Sequence, residues 1–221
     1  MKVHAFCILA SALTLAAPDA AAQTGSPGNG AAASAAKPAQ YIARFEALNT
    51  KLAGRMADGE ARFMIEQGTL TISVDARDMP PGIMHMQHLH GFEDGRSASC
   101  ATAGTDASGD GIVDLIETEV VSGTTMVPLS AEPADLKIAA DTYPKASDTG
   151  SYSYRQSVPL DKLRQAFAGK FGGQELMLER RVVYIHGVAP ATTLPESVAS
   201  LGTVPAQVTL PIACGRIELA D

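Results

Sequence analysis

Apolar and polar residues alternate most regularly in residues 60–66 and 68–75, and a period of two marks a strand with one covered face. Leu70, Ile72 and Val74 fall on one side of the second stretch, and Gln67-Gly68 between the two predicts a tight hairpin turn. Residues 41–48 alternate more loosely, with Ile42 competing against Ala43 and Phe45 for the buried face. Pro80-Pro81-Gly82 ends this run of strands and leads into a histidine-rich segment. Residues 93–111 are rich in glycine, serine and aspartate and predict a loop; residues 113–121 and 124–129 read as short strands. Residues 132–157 show no pattern that assigns them to an element. Leu160, Leu163 and Phe167 recur at helical spacing, and Gly172-Gly173 stops that helix. Residues 176–186 are strand-like, and residues 208–219 close the chain in the same manner. Many short strands, one short helix and no internal repeat predict an all-β sandwich or barrel.

The chain has 221 residues, enough for one domain with a sizeable core. Its beginning changes where that domain is expected to work. Lys2, an apolar run over residues 5–17 and the small residues Ala20-Ala21-Ala22 predict a signal peptide over residues 1–22. That run is too short to span a bilayer permanently, and no later stretch is long enough. Residues 23–39 are a low-complexity linker, which leaves a β domain over residues 40–221 with an extracytoplasmic (periplasmic or secreted) address. Cys7 leaves with the signal peptide. Cys100 and Cys214 then form an even pair in an oxidising compartment and predict one disulfide. Closing so long a loop stabilises by up to ~4–5 kcal/mol on the chain-entropy account. The net charge of −7 comes with no basic run and no aromatic-basic interleaving, which argues against a nucleic-acid partner. Acidity alone implies solubility and names no partner.

The candidate chemistry lies in the histidines. Of the five in the chain, His85, His88 and His90 sit together just after the Pro-Pro-Gly turn, His186 ends a later apolar stretch, and His4 belongs to the signal peptide. Residues two apart on a strand share a face at a separation of ~6.6 Å, so His88 and His90 aim two imidazoles at one point, as a transition metal requires. A third ligand is needed, and His186 is the candidate.

His85-x-x-His88-x-His90, preceded by Met79-Pro80-Pro81-Gly82 and followed by Phe92 and Cys100, resembles the copper-site strand of the copper/zinc superoxide dismutases. Val182-Val183-Tyr184-Ile185-His186 is similar to that family's late Val-Val-His strand, and Ile212-Ala213-Cys214-Gly215-Arg216-Ile217 to its closing cysteine strand. The resemblance covers residues 45–217 in the right order. It implies a Greek-key β-barrel, copper held by His88, His90 and His186, a bracing role for His85 through hydrogen bonds, and a Cys100–Cys214 disulfide.

The departures from that family carry information too. No histidine stands between His90 and His186, so the bridging histidine and the zinc ligands have no counterparts and no zinc is expected. Pro211 occupies the place of the arginine that guides superoxide to copper, three residues before the last cysteine. Where the zinc loop would be, Asp106, Ser108, Asp110, Gly111, Ile112, Asp114 and Glu117 match positions 1, 3, 5, 6, 7, 9 and 12 of a twelve-residue calcium loop, which predicts structural calcium over residues 106–117. Met84 and Met86 share parity with His88 and His90; core packing is the heavier reading for them, a thioether ligand for Cu(I) the lighter.

Three functions follow from these readings. The first is a copper-holding extracytoplasmic protein with weak or absent dismutation. The second is an active copper-only superoxide dismutase. The third is a structural domain of the chordin type, which Phe45-Glu46-Ala47-Leu48, Glu60-Ala61-Arg62-Phe63 and His88-Leu89-His90-Gly91 resemble.

Overall fold

A computed structural model describes residues 38–138 and 141–220; the expected signal peptide, and the expected linker up to residue 37, lie outside the described residues. In chain order the strands are β1 (Ala39–Arg44), β2 (Glu46–Ala47), β3 (Asp58–Glu66), β4 (Thr69–Arg77), β5 (Gln87–Gly91), β6 (Thr124–Pro128), β7 (Tyr152–Pro159), β8 (Val182–His186), β9 (Pro211–Arg216) and β10 (Glu218–Leu219). They pair antiparallel in two five-stranded sheets, ordered β10-β1-β3-β4-β7 and β2-β9-β8-β5-β6. One core takes Ala43, Phe63, Leu70, Ile72 and Val74 from the first sheet and Leu89, Met126, Val183, Ile185 and Ile212 from the second. This is the all-β sandwich that the alternation predicts.

β3 and β4 are the clearest case. Leu70, Ile72 and Val74 are fully buried on one face. Gln67 and Gly68 both take left-handed backbone (φ 48° and 76°), the geometry whose twist matches a two-residue hairpin. The loose pattern of residues 41–48 also has a cause. The chain leaves the first sheet at Arg44 and enters the second at Glu46, so Ile42, Ala43, Phe45 and Leu48 are all buried without serving one face.

Four helices accompany the strands among the described residues: α1 (Thr50–Ala53), α2 (Leu115–Ser122), α3 (Leu160–Lys170) and α4 (Ala206–Thr209). α3 is the expected helix, burying Leu160, Leu163 and Phe167. The strand expected over residues 113–121 is instead α2. Asp114 accepts a hydrogen bond from the Glu117 amide and Glu117 accepts one from the Asp114 amide, both at 3.0 Å. This reciprocal cap nucleates a helix that the β-branched Val120-Val121 disguises. The strand expected over residues 176–186 shortens to β8, because residues 178–180 make a 3₁₀ turn that buries Arg181. The expected disulfide is present: Cys100 and Cys214 are bonded, with Cα atoms 5.7 Å apart. No helix among the described residues is long and apolar enough to cross a membrane.

Candidate metal centre

β5 and β8 lie side by side, with His88 opposite Tyr184 and His90 opposite Val182. Alternation then sorts their side chains. Leu89, Val183 and Ile185 enter the sandwich core, while Val182 and Tyr184 pack on the other face with Leu48, Ala98, Ala101, Val113 and Cys214. His88, His90 and His186 gather with ring centroids 6.0 Å (88–90), 5.3 Å (88–186) and 5.9 Å (90–186) apart, and His90 and His186 lie against Tyr184. A register shift between Ile185 and His186 frees the end of β8, where the His186 amide bonds to the Met86 carbonyl at 2.8 Å.

Each of the three is at most 4% exposed. One nitrogen from each ring lies within 4.8 Å of the others, and among the described residues no other group of histidine, cysteine or acidic side chains converges in this way. In each ring one nitrogen is engaged and the other is buried with no partner. His88 Nε2 lies 3.0 Å from Tyr143 Oη, His90 Nε2 3.2 Å from Thr125 Oγ1, and His186 Nδ1 2.8 Å from the Thr209 carbonyl. The unpartnered atoms are His88 Nδ1, His90 Nδ1 and His186 Nε2. Since a carbonyl oxygen only accepts, His186 carries its proton on Nδ1 and presents a lone pair at Nε2.

Burial makes all three rings neutral. It pushes His88 well below the ordinary histidine range, helped by the nearby His186 and His90. Burial, then His186, lowers His90 to about 3 against the upward pull of a bond to the Gly123 backbone. Burial lowers His186 to about 4, the Thr209 carbonyl opposing it. Three neutral imidazoles, each with one buried unpartnered nitrogen, can hold a metal ion, and leaving such atoms without any bond costs free energy.

His85 stands outside this cluster. It is fully buried between the turn before β5 and the end of β8, with Nδ1 3.0 Å from the His186 carbonyl and Nε2 2.9 Å from the Pro80 carbonyl, and the single N–H of a neutral ring donates to one of the two. Met84 lines an apolar cleft of about 520 Å³ with Ile83, Gly187 and Val188, and Met86 is buried. Pro211 pairs with His186 across the register shift, and its carbonyl accepts a bond from Asn49 Nδ2 at 2.9 Å.

The acidic loop is closed on itself. Glu117 accepts from the amides of Ala107 and Ser108 as well as Asp114, and Asp106 from those of Gly109 and Gly111. Asp110 accepts from the Ile112 amide and the Ser197 hydroxyl, and Asp114 Oδ2 from the Ala199 amide. Ser108 donates to Asp106 at 3.2 Å. These side chains hold backbone and do not converge on one point as the histidines do.

Sequence reasoning missed Tyr143, Thr125 and Thr209, which hold the engaged nitrogens. Tyr184 was legible: it is two residues before His186 on a strand and so shares its face. Its hydroxyl takes the Ala101 amide at 2.8 Å and meets Ser122 Oγ at 2.7 Å, which ties the loop carrying Cys100 to the face of β8 that bears Tyr184. No protein-family model matches this chain, and no curated protein matches it.

Proposed function

We propose that this is an exported copper-binding protein of the superoxide dismutase-like β class, with weak or absent turnover of superoxide. One observation carries the reading: three buried, neutral histidines each keep one ring nitrogen free, and the three rings face one another. Imidazole donors suit copper, nickel, zinc and iron, and among divalent ions copper binds such a set most tightly. The three sequence segments that resemble the dismutases favour copper further, and on this reading the two sheets are that family's Greek-key barrel.

Copper, when bound, supplies one-electron redox chemistry. The residues around it supply orientation and seclusion. His88, His90 and His186 are the ligands, and His85 braces the turn and strand end that carry them. Tyr143, Thr125 and the Thr209 carbonyl hold the outward nitrogens, as partners of metal-bound histidines commonly do. Against fast turnover stand the absence of any histidine between His90 and His186, the proline at position 211 and a net charge of −7. The three free nitrogens are also shielded from solvent.

The test is metal retention. The oxidised protein loaded with Cu(II) should keep about one equivalent through dialysis, and the double variant His88→Gln/His186→Gln should keep none. Copper retained by a folded double variant refutes the assignment, and a wild-type protein that holds no copper favours the chordin-type structural reading.

A further inference from the structure

Resting on the reading of the histidines as a metal centre, we infer that Tyr143 is a positioning residue: it holds His88 in the tautomer that turns the Nδ1 lone pair toward the metal. Tyr143 belongs to none of the strands or helices. It is carried on a strap, residues 143–146, which is clipped to the turn before β5. The His85 amide bonds to the Pro144 carbonyl at 2.9 Å, the Ala146 amide to the Ile83 carbonyl at 2.9 Å, and Met84 pairs with Lys145. The strap thereby delivers one buried ring to the centre. Tyr143 meets His88 edge to face, with centroids 5.3 Å apart and planes at 81°, and its Oη lies 3.0 Å from Nε2.

The other two rings have outward partners on elements of the sheet or beside it: Thr125 on β6 and Thr209 on α4. His88 depends on the strap. A neutral imidazole has one N–H, and the ring nitrogen without it is the one that can bind a metal. Nδ1 of His88 is buried and without a partner, so only a proton on Nε2 is satisfied, by donating to the tyrosine oxygen. A phenol oxygen both donates and accepts, so Tyr143 Oη can accept that proton's bond. A phenylalanine at 143 keeps the ring packing and removes the acceptor. The Nε2–H is then buried unsatisfied, and the proton has no reason to avoid Nδ1. Outward partners of this kind typically contribute about 10–100-fold to metal affinity.

The experiment reads the tautomer in the metal-free, disulfide-bonded protein from its imidazole ¹⁵N chemical shifts, and the Cu(II) affinity separately by competition with a chelator. Wild type should show His88 protonated at Nε2. Tyr143→Phe, checked for folding by its melting curve, should shift that proton wholly or partly to Nδ1 and weaken Cu(II) binding about 10–100-fold. Wild-type His88 protonated at Nδ1 overturns the inference without need of any variant. So does a folded Tyr143→Phe protein with unchanged tautomer and unchanged affinity. If the tautomers behave as stated but wild type binds no Cu(II), the proposed function falls while the control of His88 by Tyr143 stands.

Discussion

Buried imidazoles gathered within about 6 Å of one another with no acidic side chain among them are tolerated only while they are neutral. His90 and His186 have pKa values lowered to about 3 and about 4, while an unfolded chain protonates histidine near 6.5. Between those limits the unfolded state binds more protons than the folded one, so folded stability is complete above about pH 6.5 and falls as the pH drops toward 4. Each such histidine should contribute a slope of about 1.4 kcal/mol per pH unit in that window. Denaturant titrations of the metal-free protein from pH 7 to pH 4 should show the decline, and His90→Gln should show a shallower one. Equal slopes would mean that His90 titrates normally and is not held neutral by its surroundings. At this scale the sequence was informative about the histidines that gather and silent about their partners. His88 and His90 are two apart and announce a shared face, whereas Tyr143, Thr125 and Thr209 reach the rings from distant segments that no local pattern connects.

Among the elements, the stretch from Asp106 to the end of α2 is where pattern and structure diverge most. Its apolar residues suggested a strand, but Asp114 and Glu117, three apart, form a reciprocal cap, and local hydrogen bonding decided the outcome. The hairpin of β3 and β4 succeeded for the complementary reason: its turn residues and its period of two specify the same register. The match of residues 106–117 to a calcium loop remains a prediction about this element. Calcium should raise the melting temperature of the chelator-treated protein, since a ligand of the folded state stabilises by mass action. Glu117→Gln should blunt the gain. Identical melting curves with and without Ca²⁺ would assign the loop's order wholly to the bonds that Glu117, Asp106, Asp110 and Asp114 already make with backbone amides and side-chain hydroxyls.

At the scale of the whole molecule, the sandwich was readable because short strand-like stretches recur along the chain with a single helical one, although clear alternation marks only β3 and β4 among the strands foreseen. The partition of strands between two sheets was not, because pairing across long separations leaves no local trace. β1 and β2 are almost continuous in sequence and belong to different sheets. The disulfide ties β9 of the second sheet to the loop whose Ala101 amide bonds to the Tyr184 hydroxyl, across 114 residues of chain. On the proposed dismutase-like reading, activity is also decided at this scale: a net charge of −7 repels an anion, and a proline in place of a guiding cation would lower association by about one to three powers of ten. Stopped-flow decay of superoxide by the copper-loaded protein should therefore be slow or undetectable, and Pro211→Arg should accelerate it only if the metal is open to solvent. A copper-dependent rate near the diffusion limit would make the protein an active copper-only dismutase.

The seclusion of the three free nitrogens has a consequence in time. His88 and His186 are brought together only when β5 and β8 pair, so the chain cannot present the complete set before that pairing exists, and afterwards the set is shut in. On the proposed reading, capture and release would both wait for the fold to open. Once loaded, the protein would hand over its ion at the pace of its own opening, whatever the concentration of an acceptor outside. Such a protein behaves as a slow store, whose retention is set by its mechanical stiffness as much as by the strength of its bonds to the ion.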